Sequence, residues 1–258
     1  MTRRRGSISR GFRVPGPSVA ALCALAVALV LAGCALAASS PVDLKSPQPK
    51  PPQGAAHPVH GSIAPERIVI IGDSLSTGYG TSPEEAWPRL LRHELHAASV
   101  PAKITNEAQN GAGYLTLGEE DATFASQISE SVNASTDVVV LFGSDNDAGQ
   151  DPAELRAALT DALEEITTLA PHARQIMIGP LTGFDALESD VTTIRDQERA
   201  AARDAGAEFI DPVAEQWVAG PDSPLLGPDG EHPSSGGQQF LAEKIRTVLD
   251  QHRVSSTG

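Results

Sequence analysis

The chain has 258 residues, two cysteines and a formal net charge of −14 at pH 7. A surface this acidic disfavours partners that are themselves anionic, such as nucleic acid and anionic lipid. Two cysteines exclude a small fold that several disulfides hold together. The length suits one domain with additional N-terminal sequence, so the stability of that domain must come from a hydrophobic core.

The first 33 residues have the pattern of a secretory signal peptide. Five arginines and no acidic residue precede an apolar run from Val19 to Gly33, and this run is shorter than the ~20 residues that a membrane-spanning helix needs. It ends at Leu31-Ala32-Gly33-Cys34, which resembles the bacterial lipobox, where the cysteine is lipidated. We therefore expect residues 1–33 to be removed and Cys34 to anchor a secreted protein on the extracytoplasmic face of the cell membrane. The alternative is an ordinary signal that contains a buried cysteine.

Residues 34–61 are predicted to form a proline-rich tether. Six prolines and few apolar side chains occur between Ala35 and Gly61, so this segment cannot build a packed core and should be extended. If Cys23 is removed with the signal, Cys34 is left alone and no intramolecular disulfide can form. The folded domain is therefore expected within residues 62–258.

Strand-like and helix-like patterns alternate within this domain. Strands are predicted at 67–72, 103–108, 137–143, 175–181 and 207–212, and helices at 87–98, 151–170, 190–205 and 234–251. Five strands that alternate with helices predict an α/β fold, a three-layer α/β/α sandwich with a parallel sheet covered on both faces. Ligands bind beyond the carboxyl ends of the strands in such sheets, so the residues after each strand are the functional candidates.

Four polar, glycine-containing stretches carry those candidates. They are Gly72–Ser76 (GDSLS), Asn106–Gly113 (NEAQNGAG), Gly143–Asp147 (GSDND) and Asp229–Pro233 (DGEHP). A serine hydroxyl is a weak nucleophile, which needs a base within hydrogen-bond reach and an acid that orients the base. Ser74 follows a strand directly, His232 lies in a late loop, and Asp229 can curl back to the imidazole. The alternative for a D-x-x-H sequence taken alone is a helix cap.

In this order the four stretches resemble the SGNH, or GDSL, hydrolase family, and the G-D-S-L motif is intact at residues 72–75. The G-x-S-x-G elbow of ordinary α/β-hydrolases is absent. The resemblance implies a flavodoxin-like fold with a five-stranded parallel sheet. It also implies a serine esterase that works through an acyl-enzyme, with Ser74, His232 and Asp229 as its catalytic triad.

The resemblance further implies an oxyanion hole, a set of donors that stabilise the negative charge on the attacked carbonyl oxygen. In this family the donors are the backbone N–H of the nucleophilic serine, a glycine N–H and an asparagine amide. They correspond here to Ser74, Gly111 and Asn146. Gly111 lies five residues after Asn106, as the family pattern requires, and Gly113 is the alternative glycine.

The third stretch departs from the family pattern G-x-N-D, because two residues separate Gly143 from Asn146. A carboxylate beside the oxyanion would repel the developing charge, whereas an amide would stabilise it. We therefore expect Asn146 to point inward and Asp145 to face solvent or to bond with nearby backbone. The additional residue is expected to form a bulge at Gly143-Ser144.

The predicted function is hydrolysis of short acyl esters, such as the acetyl groups of glycans, because no long insertion is present that could form an apolar lid. A lysophospholipase or thioesterase for longer chains and a non-catalytic acidic binding lipoprotein are the alternatives. No cofactor is implied, and His93-Glu94-Leu95-His96 lacks the spacing of an H-E-x-x-H zinc motif. We expect a monomer whose partners are the ester substrate and, through the lipid anchor alone, the membrane.

Overall fold

The computed structural model describes residues 64–143, 145–181, 189–218, 220 and 223–255. All of them belong to the larger of two units into which the chain divides, residues 59–258. The predicted signal peptide, lipidation site Cys34 and tether lie outside the described residues. Within those ranges, no helix combines the length and the apolar character that crossing a bilayer would require.

The described chain contains the elements that the sequence predicts and two more α-helices. The strands are β1 (Glu66–Ile71), β2 (Ala102–Asn106), β3 (Val138–Phe142), β4 (Arg174–Ile178) and β5 (Glu208–Ile210). The helices are α1 (Ser74–Thr77), α2 (Trp87–Ala97), α3 (Phe124–Ser131), α4 (Pro152–Leu169), α5 (Ser189–Ala205) and α6 (Ser235–Ser255). The short helices α1 and α3 were not predicted, whereas the nine predicted elements are confirmed with boundary shifts of a few residues.

All five strands are parallel and pair in the order β2-β1-β3-β4-β5. This order confirms the predicted flavodoxin-like sandwich. Because every strand runs in the same direction, the carboxyl ends of β1, β2 and β3 lie at one edge of the sheet. The loops that follow these three strands begin at this edge, and it is the edge where the candidate site lies.

The sheet is buried on both faces, which explains why its central strands are continuous apolar runs. On one face, Val69, Ile71, Val139 and Leu141 pack with apolar residues of α3, α4 and α5. On the other face, Ile68, Ile70, Val140 and Phe142 pack with apolar residues of α2 and α6. Two cores therefore hold the central strands in place, and with them the residues at their ends.

Side-chain caps define the starts of α3 and α4. Asp151 accepts hydrogen bonds from the N–H groups of Ala153 and Glu154, at 2.8 and 3.1 Å, as its position before Pro152 predicts. Thr123 forms a reciprocal capping box with Ser126 at the start of α3. Such caps stabilise a helix by about 1 kcal/mol, which matters most for a helix as short as α3.

Candidate active site

Ser74 is the first residue of the one-turn helix α1, which begins three residues after the end of β1 at Ile71. Asp73 caps this turn, because its Oδ1 accepts a hydrogen bond of 2.9 Å from the N–H of Leu75. Gly78 ends the turn in the left-handed region, with φ of 86°. The chain thus passes from a buried strand into a capped helical turn, which fixes the direction in which the Ser74 hydroxyl points.

Buried side chains hold this nucleophile turn from two sides. Gln127 of α3 accepts from the N–H of Gly72 and donates to its carbonyl oxygen, each at 2.9 Å. Trp87 donates its indole N–H to Oγ of Ser76 at 3.0 Å. Ser76 is therefore a buried structural acceptor, whereas the neighbouring Ser74 is partly exposed.

The three predicted catalytic residues are brought together in a continuous line of hydrogen bonds. Oγ of Ser74 lies 3.0 Å from Nε2 of His232. Nδ1 of the same imidazole lies 2.9 Å from Oδ2 of Asp229. A base that contacts the serine and an acid that contacts the base are the geometry that nucleophilic catalysis by serine requires.

The loop that carries Asp229 and His232 is a closed turn. Oδ1 of Asp229 accepts hydrogen bonds from the N–H groups of Glu231 and His232, both at 3.1 Å. Leu226 and Pro233 form an antiparallel bridge across the loop. Partial burial raises the pKa of the Asp229 carboxyl, but the hydrogen bonds from Glu231 and His232 outweigh it, so its pKa lies below the ordinary value.

The helix-cap reading of D-x-x-H is wrong for this loop. At the start of α6, the hydroxyl of Ser234 accepts the N–H of Gly237 at 3.2 Å. Asp229 instead uses one oxygen for its own turn and the other for the imidazole. The Asp229 carboxylate therefore does not cap a helix, and it contacts the His232 imidazole directly.

Two backbone N–H groups in the loops after β1 and β2 are available for an oxyanion. Neither the N–H of Ser74 nor that of Gly111 donates a hydrogen bond to any residue within the described ranges. Gly111 has φ of 74°, a conformation that other residues rarely adopt. The alternative, Gly113, donates its N–H to the carbonyl of Thr116 at 2.9 Å, so the geometry favours Gly111.

Asn146 points inward, towards the nucleophile turn. Its Nδ2 donates to Oδ2 of Asp73 at 3.2 Å and to the carbonyl oxygen of Ala112 at 2.9 Å. Both N–H bonds of the amide are therefore occupied, so donation to an oxyanion requires the longer one to be shared or exchanged. Asn146 also connects the three loops that follow β1, β2 and β3.

Asp145 takes the second of its two expected arrangements, in which the carboxyl bonds with nearby backbone. It is partly buried, and burial followed by repulsion from Glu231 raises the pKa of its carboxyl, against the opposing effects of its own backbone N–H and of His232. The Asp145 carboxyl is therefore close enough to Glu231 and His232 for their charges to affect its pKa. Ser144, where a bulge was predicted, is outside the described residues.

Asp147 is a buried anchor to which the sequence analysis gave no role. Its carboxylate is 1% exposed and accepts the N–H groups of Tyr114, Leu115 and Thr116 at 2.7, 3.1 and 2.9 Å. A Cβ at Gly113 would lie 2.5 Å from this carboxylate, which explains the second glycine of the stretch. Asp147 is the aspartate of the family pattern G-x-N-D, and that match was the sequence signal that could have identified it as an anchor.

A further carboxyl, Glu198 of α5, lies beneath the loop that carries Asn146. It is 0% exposed, and neither oxygen has a hydrogen-bond partner among the described residues. It fills the space that a side chain at Gly143 would occupy. Burial first, and then the charges of Asp147, Asp73 and Asp211, raise the pKa of Glu198 well above its usual range.

Within the described ranges, no three His, Cys, Asp or Glu side chains are close enough to hold a metal ion. His93 and His96 are exposed on α2.

A serine, an imidazole and a carboxylate at the carboxyl edge of this sheet define a serine hydrolase of the SGNH type. The family model of the GDSL-like lipase/acylhydrolases matches residues 70–240, and the chain belongs to that family. It is 33% identical over 193 residues to the GDSL lipase Rv0518 of Mycobacterium tuberculosis, which covers 72% of this chain and 83% of that relative.

Solved structures share the fold at low sequence identity. TesA superposes with a TM-score of 0.58 at 19% identity, covering 71% of this chain and 98% of TesA. The carbohydrate acetylesterase Est24 of Sinorhizobium meliloti superposes with a TM-score of 0.57 at 16% identity, covering 72% and 99%. Likeness at this level of identity establishes the fold alone.

Proposed function

We propose that this hydrolase cleaves neutral esters of short acyl groups, such as acetyl groups on glycans, with Ser74 as the nucleophile. The observation that carries the proposal is the line from Ser74 through His232 to Asp229, with contacts of 3.0 and 2.9 Å. In this proposal, each of the three groups performs one part of acyl transfer.

Oγ of Ser74 attacks the ester carbonyl while Nε2 of His232 takes the hydroxyl proton. The carboxylate of Asp229 keeps the other ring nitrogen protonated and stabilises the imidazolium that forms. The N–H groups of Ser74 and Gly111, with the Asn146 amide, bind the oxyanion. His232 then gives its proton to the leaving alcohol, and water, activated by the same imidazole, hydrolyses the acyl-enzyme.

The exposed surface favours a short acyl group. Among the described residues, only Tyr79 and Leu117 are large apolar side chains that are substantially exposed, at 50% and 62%. A long acyl chain needs a continuous apolar surface, since each buried CH₂ contributes about 0.8 kcal/mol. Two side chains supply little of that surface, whereas an acetyl group needs almost none.

The charge around His232 favours a neutral alcohol. Asp229 accepts a hydrogen bond from the imidazole, and the nearby charge of Glu231 helps to raise the pKa of the Asp145 carboxyl. A leaving group with a phosphate would meet this acidic rim and be repelled. Sugars carry no such charge, which separates them from lysophospholipids and coenzyme A thioesters.

Longer acyl chains remain a second candidate, because the relative from Mycobacterium tuberculosis is named a GDSL lipase. Rates on p-nitrophenyl esters from acetyl to palmitoyl test the preferred acyl length. Rates on acetylated xylo-oligosaccharide, lysophosphatidylcholine and acetyl coenzyme A test whether the leaving group must be neutral. The proposal predicts the highest kcat/KM on acetyl esters and on the neutral sugar. A maximum at eight or more carbons, or preference for the phosphate-bearing substrates, would overturn it.

We also propose that Cys34 carries lipid and holds the enzyme at the membrane, a proposal that rests on the Leu31-Ala32-Gly33-Cys34 sequence. The wild-type protein should fractionate with membranes, and Cys34→Ser should be released or left unprocessed. Cys23→Ser is the matched control and should behave as wild type. Recovery of wild-type protein only in the medium, with an unmodified N-terminus, contradicts the proposal.

A further inference from the structure

An exposed aromatic ring lies directly against the catalytic imidazole. The ring centroids of Tyr79 and His232 are 4.5 Å apart, with an angle of 46° between their planes. Tyr79 is nevertheless 50% exposed, so a large part of its ring is open to solvent beside the reacting atoms. An aromatic residue that only supported the fold would be expected to bury more of this surface.

The backbone presents this ring rigidly. Tyr79 lies between two glycines with positive φ, Gly78 at 86° and Gly80 at 78°. Its N–H donates to Oγ1 of Thr77 at 3.2 Å, and the N–H of Thr81 closes the turn by donating to the carbonyl of Gly78 at 3.0 Å. The exposed ring is therefore held in place before any ligand arrives, which reduces the entropy lost on binding.

The chemistry of the reaction determines which part of the substrate this ring can meet. The proton that Nε2 of His232 takes from Ser74 must be delivered to the oxygen of the leaving alcohol, so that alcohol lies on the imidazole side of the nucleophile. In the proposed mechanism, the carbonyl oxygen points instead to the oxyanion donors. Tyr79, which packs on His232, therefore borders the alcohol and not the acyl group.

We propose that the Tyr79 ring is a platform for the alcohol part of the ester, which makes the enzyme selective for alcohols that present a flat carbon face, such as the pyranose ring of a glycan. This inference rests on the proposed ester hydrolysis and extends it to the leaving group. The hydroxyl of Tyr79 bonds to no described residue and is open to a sugar hydroxyl. Tyr79 is thus assigned as a specificity-determining residue.

The test keeps the acetyl group constant and varies the alcohol. Tyr79→Ala and wild type are compared on p-nitrophenyl acetate, an acetylated pyranoside and ethyl acetate. A ring–ring contact of ordinary strength corresponds to a loss of roughly 3- to 10-fold, so kcat/KM should fall by that factor on the two ring-bearing esters, mainly through KM. Ethyl acetate offers no ring and should be hydrolysed within about 2-fold of the wild-type rate.

Two control variants separate this role from others. Tyr79→Phe keeps the ring and should retain most of the selectivity. Leu117→Ala removes the other exposed apolar side chain, which belongs to the loop after Gly111, and should not change the preference among alcohols. A uniform loss on all three esters in Tyr79→Ala would mean that the ring only orients His232, and it would overturn the proposal. Absence of wild-type activity on every ester would instead contradict the proposed function itself.

Discussion

The two sides of the nucleophile differ in how the protein holds them. On the acid–base side, the side chains of His232 and Asp229 are 14% and 43% exposed and lie on one loop. On the oxyanion side, Asp73, Asp147 and Glu198 are at most 1% exposed and come from three separate elements. One side is a short-range pair near solvent, whereas the other is a buried network that ties the loops together.

This difference separates chemistry from stability. An ion pair or hydrogen bond near solvent contributes little to folding, about 0–1 kcal/mol. A buried carboxylate that loses its N–H donors costs much more, because the group stays desolvated without a partner. Changes at the triad should therefore remove activity and leave the fold intact, whereas changes in the buried network should affect stability as well.

The largest effect on activity is expected for Ser74→Ala. Removal of the nucleophile should lower kcat by a factor on the order of 10⁶, while urea unfolding stays close to wild type because the hydroxyl is partly exposed. Ser76→Ala is the matched control: it removes the buried acceptor of Trp87 and should destabilise the fold while keeping much of the activity. Loss of activity in Ser76→Ala but not in Ser74→Ala would show that the wrong serine was assigned.

A smaller effect on activity is expected for Asn146→Ala. If one N–H of the amide turns to the oxyanion in the transition state, kcat should fall by roughly 10² to 10³, with a smaller change in KM. Because the same amide bonds to Asp73 and Ala112, a modest decrease in unfolding free energy should accompany it.

The matched control for Asn146 is Asp145→Ala. The carboxyl of Asp145 is not one of the proposed oxyanion donors, so its removal should cost little in kcat. Steady-state kinetics and urea unfolding of both variants decide the assignment. Equal losses, or a larger loss for Asp145→Ala, would mean that this loop supplies its oxyanion donor from a different residue.

The strands, the long helices and the hydrogen-bonded arrangement of Ser74, His232 and Asp229 could be predicted from the sequence because each leaves a local signal. Val138–Phe142 is a continuous apolar run, Asp151-Pro152 marks a helix start, and Ser74 and His232 lie in short motifs next to predicted element ends. The capped turn at Ser74 was missed because four residues are too few to show a helical period.

The buried network could not be predicted, because its partners are distant in the sequence. Gln127 clamps Gly72 across 55 positions, and nothing near Gln127 in the sequence indicates this contact. The same holds for Glu198, which fills the space at Gly143. Burial of a polar side chain against a particular loop is a property of the packed fold, so only the structure reveals it.

The smallest effect on activity is expected for Glu198→Gln. This variant should instead change the pH dependence of stability, because Glu198 belongs to the buried network. Burial and the neighbouring carboxylates raise the pKa of Glu198 in the folded protein, so the folded state holds this proton more tightly than the unfolded chain does. The contribution of this group to the free energy of unfolding is therefore fully present below the ordinary carboxyl pKa. It is lost as the pH rises towards the raised pKa of the folded state. Glutamine has nearly the same shape and cannot ionise, so the variant should lose less stability over that range.

Urea unfolding at pH 5 and pH 8 measures this difference directly. Glu198→Gln should gain stability relative to wild type on going from the lower to the higher pH, while its activity stays near wild type. Glu164→Gln, which changes an exposed carboxyl on α4, is the matched control and should show no such gain.

The titratable groups that interact with Glu198 are the carboxyls of Asp73, Asp147 and Asp211 and the phenol of Tyr114. All of them remain in the variant. Equal pH dependence in both variants would therefore show that Glu198 is ionised in the folded enzyme, and that the buried network tolerates a further charge beneath the Asn146 loop.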